Sequence, residues 1–158
     1  MGHKLFYILL FALMACSGKK DNDIAKVKLK ELNDQPIDLG QYEGKVVFIN
    51  FWATWCKPCI QEMPTIESAQ SKLKNEKIIF LLASNEDKDR IEKFIKKHKY
   101  NFNYVHLENL EELKIQALPA TFIFNAEGKL KFSESGFRNW DDPPNIELIT
   151  KIMNDHAK

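Results

Sequence analysis

The chain has 158 residues, 44% of them hydrophobic and 28% charged, and its 23 basic and 22 acidic side chains leave a formal net charge of +1. That length suits one domain of about 100 to 150 residues plus a leader. The balanced charge excludes a basic nucleic-acid footprint and an acidic tail, so no nucleic-acid partner is expected and function has to be read from motifs.

Residues 1–15 stand apart from the domain. Lys4 gives a positive start and residues 5–15 are an unbroken apolar run. The run is shorter than the ~20 residues that span a bilayer, so it reads as a cleaved export signal. It ends in Leu13-Met14-Ala15-Cys16, which resembles the bacterial lipobox, where cleavage leaves the cysteine as a lipid-carrying N-terminus. The expectation is a lipid anchor at Cys16 that attaches the protein to a membrane; a plain signal followed by an incidental cysteine is the alternative. Residues 16–25 then comprise the anchor and a polar, aperiodic tether, and residues 26–158 the folded domain.

Residues 27–32 alternate apolar and polar side chains, and Asn33-Asp34-Gln35-Pro36 is a turn signal ahead of Ile37 and Leu39. This pattern predicts a half-exposed hairpin before the core. Residues 46–52 are apolar apart from Asn50 and rich in β-branched and aromatic side chains, as in a central strand covered on both faces. Residues 78–83 repeat that character. Between the two runs Ile60, Met63, Ile66, Ala69 and Leu73 recur at helical spacing, which predicts a right-handed βαβ unit with parallel strands. Pro64 lies inside this helix and predicts a kink.

Ile91, Phe94, Ile95 and His98 mark one face of a second helix, followed by a short strand at Tyr104-Val105-His106 and a short helical segment over residues 109–115. Residues 121–124 and 130–133 read as strands. They flank a reversal in which Gly128 supplies the positive φ of a tight turn, so an antiparallel hairpin is expected. Pro143-Pro144 then open an amphipathic helix carrying Ile146, Ile149, Ile152 and Met153.

Three cysteines are an odd count for an exported protein. With Cys16 assigned to lipid, Cys56 and Cys59 remain as a close pair. The loop they enclose is too short to restrain much of the unfolded chain, so their spacing suits chemistry better than stapling. Cys56-Lys57-Pro58-Cys59 follows the first central strand and opens the helix, where unpaired backbone N–H groups and a partial positive charge stabilise a thiolate. Thioredoxin-type sites lower a cysteine pKa from about 8.5 to about 7, which brings the thiolate to about half of the population at neutral pH. Cys56 is then the nucleophile and Cys59, one turn into the helix and more buried, the resolving thiol. A haem site would need His where residue 60 is Ile, and a zinc site would need two further ligands, so neither metal nor dissociable cofactor is expected.

The run from Gly44 to Cys59, continued by Glu62 and Pro64, sets out W-C-x-P-C-x-x-E-x-P in one line, and Leu118-Pro119-Ala120-Thr121-Phe122 follows later. Together these segments resemble the envelope-anchored TlpA-like and ResA-like oxidoreductases of the thioredoxin superfamily, over roughly residues 27–155. The resemblance implies an α/β thioredoxin-like fold, a central mixed β-sheet flanked by helices, with an N-terminal β-hairpin and a central βα insertion. It places Glu62 beside the site, where the carboxylate would move protons at Cys59; periodicity alone reads Glu62 as a solvated helix-surface group. It also implies a cis proline at Pro119 facing the pair, with Leu118 offering its backbone to an extended substrate segment; an ordinary trans proline is the alternative. Trp55 reads as an apolar rim for a protein substrate, with Pro58 beside it, whereas Trp52 reads as core.

By the same resemblance the chain is a thiol-disulfide oxidoreductase of the cell envelope, its domain in the periplasm. A membrane-embedded thiol reductant would serve as electron donor, and protein disulfides of exported substrates would be reduced, the haem-binding cysteines of apocytochromes c among them. Two other readings stay open. A non-enzymatic binding or scaffold lipoprotein with a structural disulfide would not exchange with small thiols, and a thiol peroxidase on the same fold would consume peroxide.

Overall fold

A computed structural model describes residues 22–74 and 77–155, so the expected export signal and the expected anchor Cys16 lie outside the described residues. The first element among the described residues is a 3-10 segment, Asp23–Lys26. Ile24 in it is 3% exposed, and its N–H donates to the Gly128 carbonyl at 3.0 Å. The folded unit therefore takes in residues 22–25, which composition assigns to the tether. One inward isoleucine among polar neighbours has no period to reveal it.

Among the described residues seven strands make one sheet in the order β2-β1-β5-β4-β3-β6-β7. They are β1 Leu29–Lys30, β2 Pro36–Ile37, β3 Val46–Phe51, β4 Ile78–Ser84, β5 Asn103–Leu107, β6 Ala120–Phe124 and β7 Leu130–Ser135. β3, β4 and β5 run parallel, while β6, β7 and the N-terminal hairpin β1–β2 add antiparallel edges. Among the described residues three helices connect and cover them: α1 Lys57–Lys72, α2 Lys88–His98 and α3 Pro143–Asn154. The mixed sheet, the hairpin and the βα insertion, here α2 with β5, are as the resemblance implies. α1 continues unbroken through Pro64, which faces solvent.

Every residue of β3 is buried, and its alternation feeds two cores. Val46 and Phe48, with Trp52 just beyond the strand, pack into a layer with Met63, Ile66 and Ala69 of α1, Ile91 and Phe94 of α2, and Ile149 and Ile152 of α3. Val47, Ile49 and Phe51 face a second layer closed by Ile24, Val27, Leu39 and the side chains of Leu110, Leu113 and Ile115. All three helices thus contribute to the first layer, and short segments cover the other.

Residues 110–114 are successive turns, not the helical segment the apolar spacing predicts. Their bonds are the i→i+3 kind, Glu112 to Asn109, Leu113 to Leu110 and Lys114 to Glu111, and Lys114 ends the run at φ 55°. The buried Asn109 side chain accepts from the Lys28 N–H and donates to the Lys26 carbonyl. That tie to the N-terminal segment competes with helix continuation.

Gly128 closes the β6–β7 hairpin at φ 73°. A Cβ there would lie 2.1 Å from Asn22 Oδ1 and 2.9 Å from Ile24 Cγ2. Gly128→Ala is expected to cost about 1–3 kcal/mol, read as a lower urea midpoint at unchanged slope. A midpoint equal to the wild type's would mean that the N-terminal segment is not seated on this turn.

Candidate functional site

The loop between β3 and α1 is held at both ends. The Trp52 N–H bonds to the Ala83 carbonyl at 3.0 Å, and the Glu86 carboxylate accepts from the Thr54 N–H at 2.5 Å and the Thr54 hydroxyl at 2.8 Å. Glu86 sits after β4, so the end of one parallel strand's loop clamps the next. Trp55 follows and is 71% exposed, whereas Trp52 is core at 1%.

Cys56 is the N-cap of α1, and Lys57 and Pro58 form its first turn. A proline is tolerated there because the first N–H groups of a helix have no intrahelical partner. Cys56 and Cys59 are joined as a disulfide with Cα atoms 5.3 Å apart, and the Cys59 N–H points at Cys56 Sγ from 3.3 Å. This is the donor a Cys56 thiolate would use after reduction. Cys59 is 1% exposed and Cys56 4%, so the solvent-facing part of the motif is Trp55, Lys57 and Pro58.

Glu62 lies one turn beyond Cys59 and is fully buried, not on the solvated face that helical periodicity predicts. Its Oε1 accepts a short hydrogen bond from the Trp140 indole N–H and a longer one, 3.4 Å, from Asn50 Nδ2. Asn50 also donates to Thr121 Oγ1 at 3.0 Å across the β3–β6 pairing. Oε2 is buried without a full hydrogen bond. Burial raises the carboxyl from the ordinary 4.5 to about 7, opposed by the Trp140 N–H and by the backbone N–H and guanidinium charge of Arg138. At neutral pH this acid is therefore poised between its two forms.

The Leu118–Pro119 bond is cis. Ala120 pairs with Phe51, so the two residues lie at the same end of the sheet as the cysteine pair. The Pro119 ring is buried and its carbonyl accepts the Gly136 N–H at 2.7 Å, which leaves Leu118 as the partly open member of the two. Leu118, Trp55, Glu86, Leu110 and Ile115 line one groove of about 400 Å³. Phe137, 55% exposed, follows Gly136.

Sequence reasoning singled out neither Glu86 nor the set around Glu62. Asn50 carried a signal, as the lone polar residue in a buried strand. Trp140 and Arg138 lie in the β7–α3 connection, where no periodicity marks them. Among the described residues no group of His, Cys, Asp and Glu could hold a metal ion, and no helix is long and apolar enough to cross a membrane.

Residues 21–133 match the model of the AhpC/TSA family. The chain is 33% identical over 113 residues to the thiol-disulfide oxidoreductase ResA of Bacillus subtilis, a match that spans 69% of this chain and 63% of that protein, less than two thirds of its length. It is 32% identical over 118 residues to ResA of Geobacillus kaustophilus, covering 72% of this chain and 68% of the relative. Solved structures share the fold. The thioredoxin domain of a thiol-disulfide oxidoreductase from Bacteroides vulgatus superposes with a TM-score of 0.68 at 23% identity, covering 80% of this chain and 92% of that one. StoA from Bacillus subtilis superposes with a TM-score of 0.60 at 20% identity, covering 79% and 93%. The family match runs through the Cys56–Cys59 motif and both central strands, and with it this chain belongs to the AhpC/TSA family, on the thioredoxin-like branch that holds the ResA proteins.

Proposed function

We propose that this protein is a thiol-disulfide oxidoreductase that reduces disulfides of exported proteins from a lipid-anchored position in the cell envelope. The observation that carries this reading is the Cys56–Cys59 disulfide at the start of α1 with Glu62 buried one turn beyond it. The name borne by the ResA relatives, thiol-disulfide oxidoreductase, supports the activity. The anchor rests on Cys16 and the apolar run before it. A membrane-embedded dithiol as electron donor, and apocytochrome c as one substrate, rest on the resemblance of the motif.

In the reduced protein the Cys56 thiolate attacks one sulfur of a substrate disulfide, and the second substrate sulfur leaves as a thiolate that takes a proton. The Cys59 thiol then gives its proton to the Glu62 carboxylate and attacks Cys56 Sγ. The Cys56–Cys59 bond forms, the mixed disulfide breaks, and the substrate departs with both its sulfurs reduced. Trp55 and Leu118 flank the groove in which the substrate segment would lie. A donor dithiol restores the reduced pair by the reverse exchange.

Cys56→Ser is expected to abolish reduction of a model protein disulfide. Cys59→Ser should instead accumulate a mixed disulfide at Cys56 that a non-reducing gel resolves. Loss of neither function in either variant would sink the assignment of nucleophile and resolver.

Glu62→Gln should slow the resolving step by about 100-fold and remove a rate increase that the wild type shows as pH rises through about 7. The same carboxyl sets a stability profile. A proton affinity raised by folding stabilises the fold while the group is protonated, so this contribution is full below about 4.5 and is lost as pH rises through about 7. The loss amounts to about 3 kcal/mol. Urea titrations of the oxidised protein from pH 4 to 8 should show that decline in the wild type and not in Glu62→Gln.

A further inference from the structure

Trp140 sits in the connection between β7 and α3, far in sequence from the cysteine motif, yet it is 1% exposed and its indole N–H is aimed at Glu62 Oε1. The ring is fixed from several sides. Its backbone N–H donates to Thr65 Oγ1 of α1 at 3.1 Å. Phe48 of β3 meets it edge-on with centroids 4.7 Å apart, and Phe132 of β7 does so at 5.8 Å. Arg138 places its guanidinium 5.6 Å from the Trp140 ring and 5.0 Å from that of Phe132, and is itself held by Asn145 and Glu134. An indole has one donor and no acceptor, so a ring locked this way can do one polar thing, which is to donate to the carboxylate.

We propose that Trp140 is a positioning residue for the redox pair: its indole N–H holds the Glu62 carboxylate in the orientation from which Oε2 exchanges a proton with Cys59. The proposal rests on the oxidoreductase reading above. An apolar layer by itself favours the neutral acid, and a donor to the charged form is what keeps the carboxylate accessible near neutrality. The groups facing Glu62 are few. Among the described residues, Asn50 of β3, itself bonded to Thr121 of β6, is neutral, Arg138 from the β7–α3 connection is charged, and Cys59 lies one turn earlier on α1.

The test compares wild type with Trp140→Phe, which keeps a ring and removes the N–H. Losing a hydrogen bond to a charged acceptor should move the midpoint of the pH profile for the resolving step upward by about 1 to 2 pH units. The near-UV circular dichroism spectrum and urea midpoint of the variant at pH 9 should stay close to the wild type's, which a general loss of structure would not allow. Superimposable profiles would overturn the proposal.

If Trp140→Phe does not fold, the wild type decides. The indole N–H resonance of Trp140, followed by NMR in the oxidised protein, should shift with a midpoint near that of Glu62 and lose the shift in Glu62→Gln. An indole signal unmoved by pH between 5 and 9 would overturn the proposal. Absence of any exchange at the cysteines of the wild type would overturn the oxidoreductase reading instead, and the indole titration would still decide whether Trp140 holds Glu62.

Discussion

β3 exposes none of its six residues, and covering both its faces determines where everything else can go. A strand buried on both sides has to be central and flanked by hydrogen-bonded neighbours, here β4 on one side and β6 on the other. The two crossovers through α1 and α2 join parallel neighbours in the same direction across the sheet, so a constant crossover hand brings both helices to one face. That face also receives α3. The opposite face is left to the N-terminal segment and the turns at residues 110–114.

Within the helical layer lies a small polar island made by Asn50, Glu62, Thr121 and the Trp140 indole. Burying a carboxylate against Trp140 in an apolar layer opposes folding, and well-packed apolar residues would serve stability better. The arrangement makes sense as chemistry. In the proposed exchange, proton transfer at a buried thiol needs a partner whose proton affinity lies near the ambient pH, and an interior acid hydrogen-bonded by one indole would meet that need. The island also explains why a polar residue interrupts β3 at position 50. Asn50 Nδ2 reaches both the carboxylate and the neighbouring strand, while Asn50 Oδ1 and Glu62 Oε2 stay buried without a hydrogen-bond partner.

Much of this was legible in the residues because the relevant signals are local. The apolar run of β3, the helical spacing of Ile60 to Leu73 and the Gly128 reversal each carry their own period or turn chemistry. The cysteine motif is local as well. What periodicity misplaced was decided by contacts distant in sequence. Glu62 reads as a surface residue by spacing, and only Asn50, Thr121 and Trp140, brought in from β3, β6 and the β7–α3 connection, make its interior position tenable. The turns at residues 110–114 read as helix until the Asn109 side chain is seen bonded to Lys28 and Lys26, some eighty positions earlier. Glu86 gives no sign of clamping Thr54, because the link runs between two loops that only the parallel sheet aligns.

The N-terminal segment is seated on the β6–β7 turn, beside the start of β3, while the cysteine pair lies past the end of β3. At about 3.3 Å per residue, the strand separates the two by roughly 20 Å. The described chain therefore enters the fold at one pole and carries its cysteine pair at the other. A tether joined at the entry pole would leave the reactive pole turned outward with the whole depth of the sheet beneath it. Partners of the cysteine pair would then approach from the open side without competing with the attachment, and the sheet itself would act as the spacer.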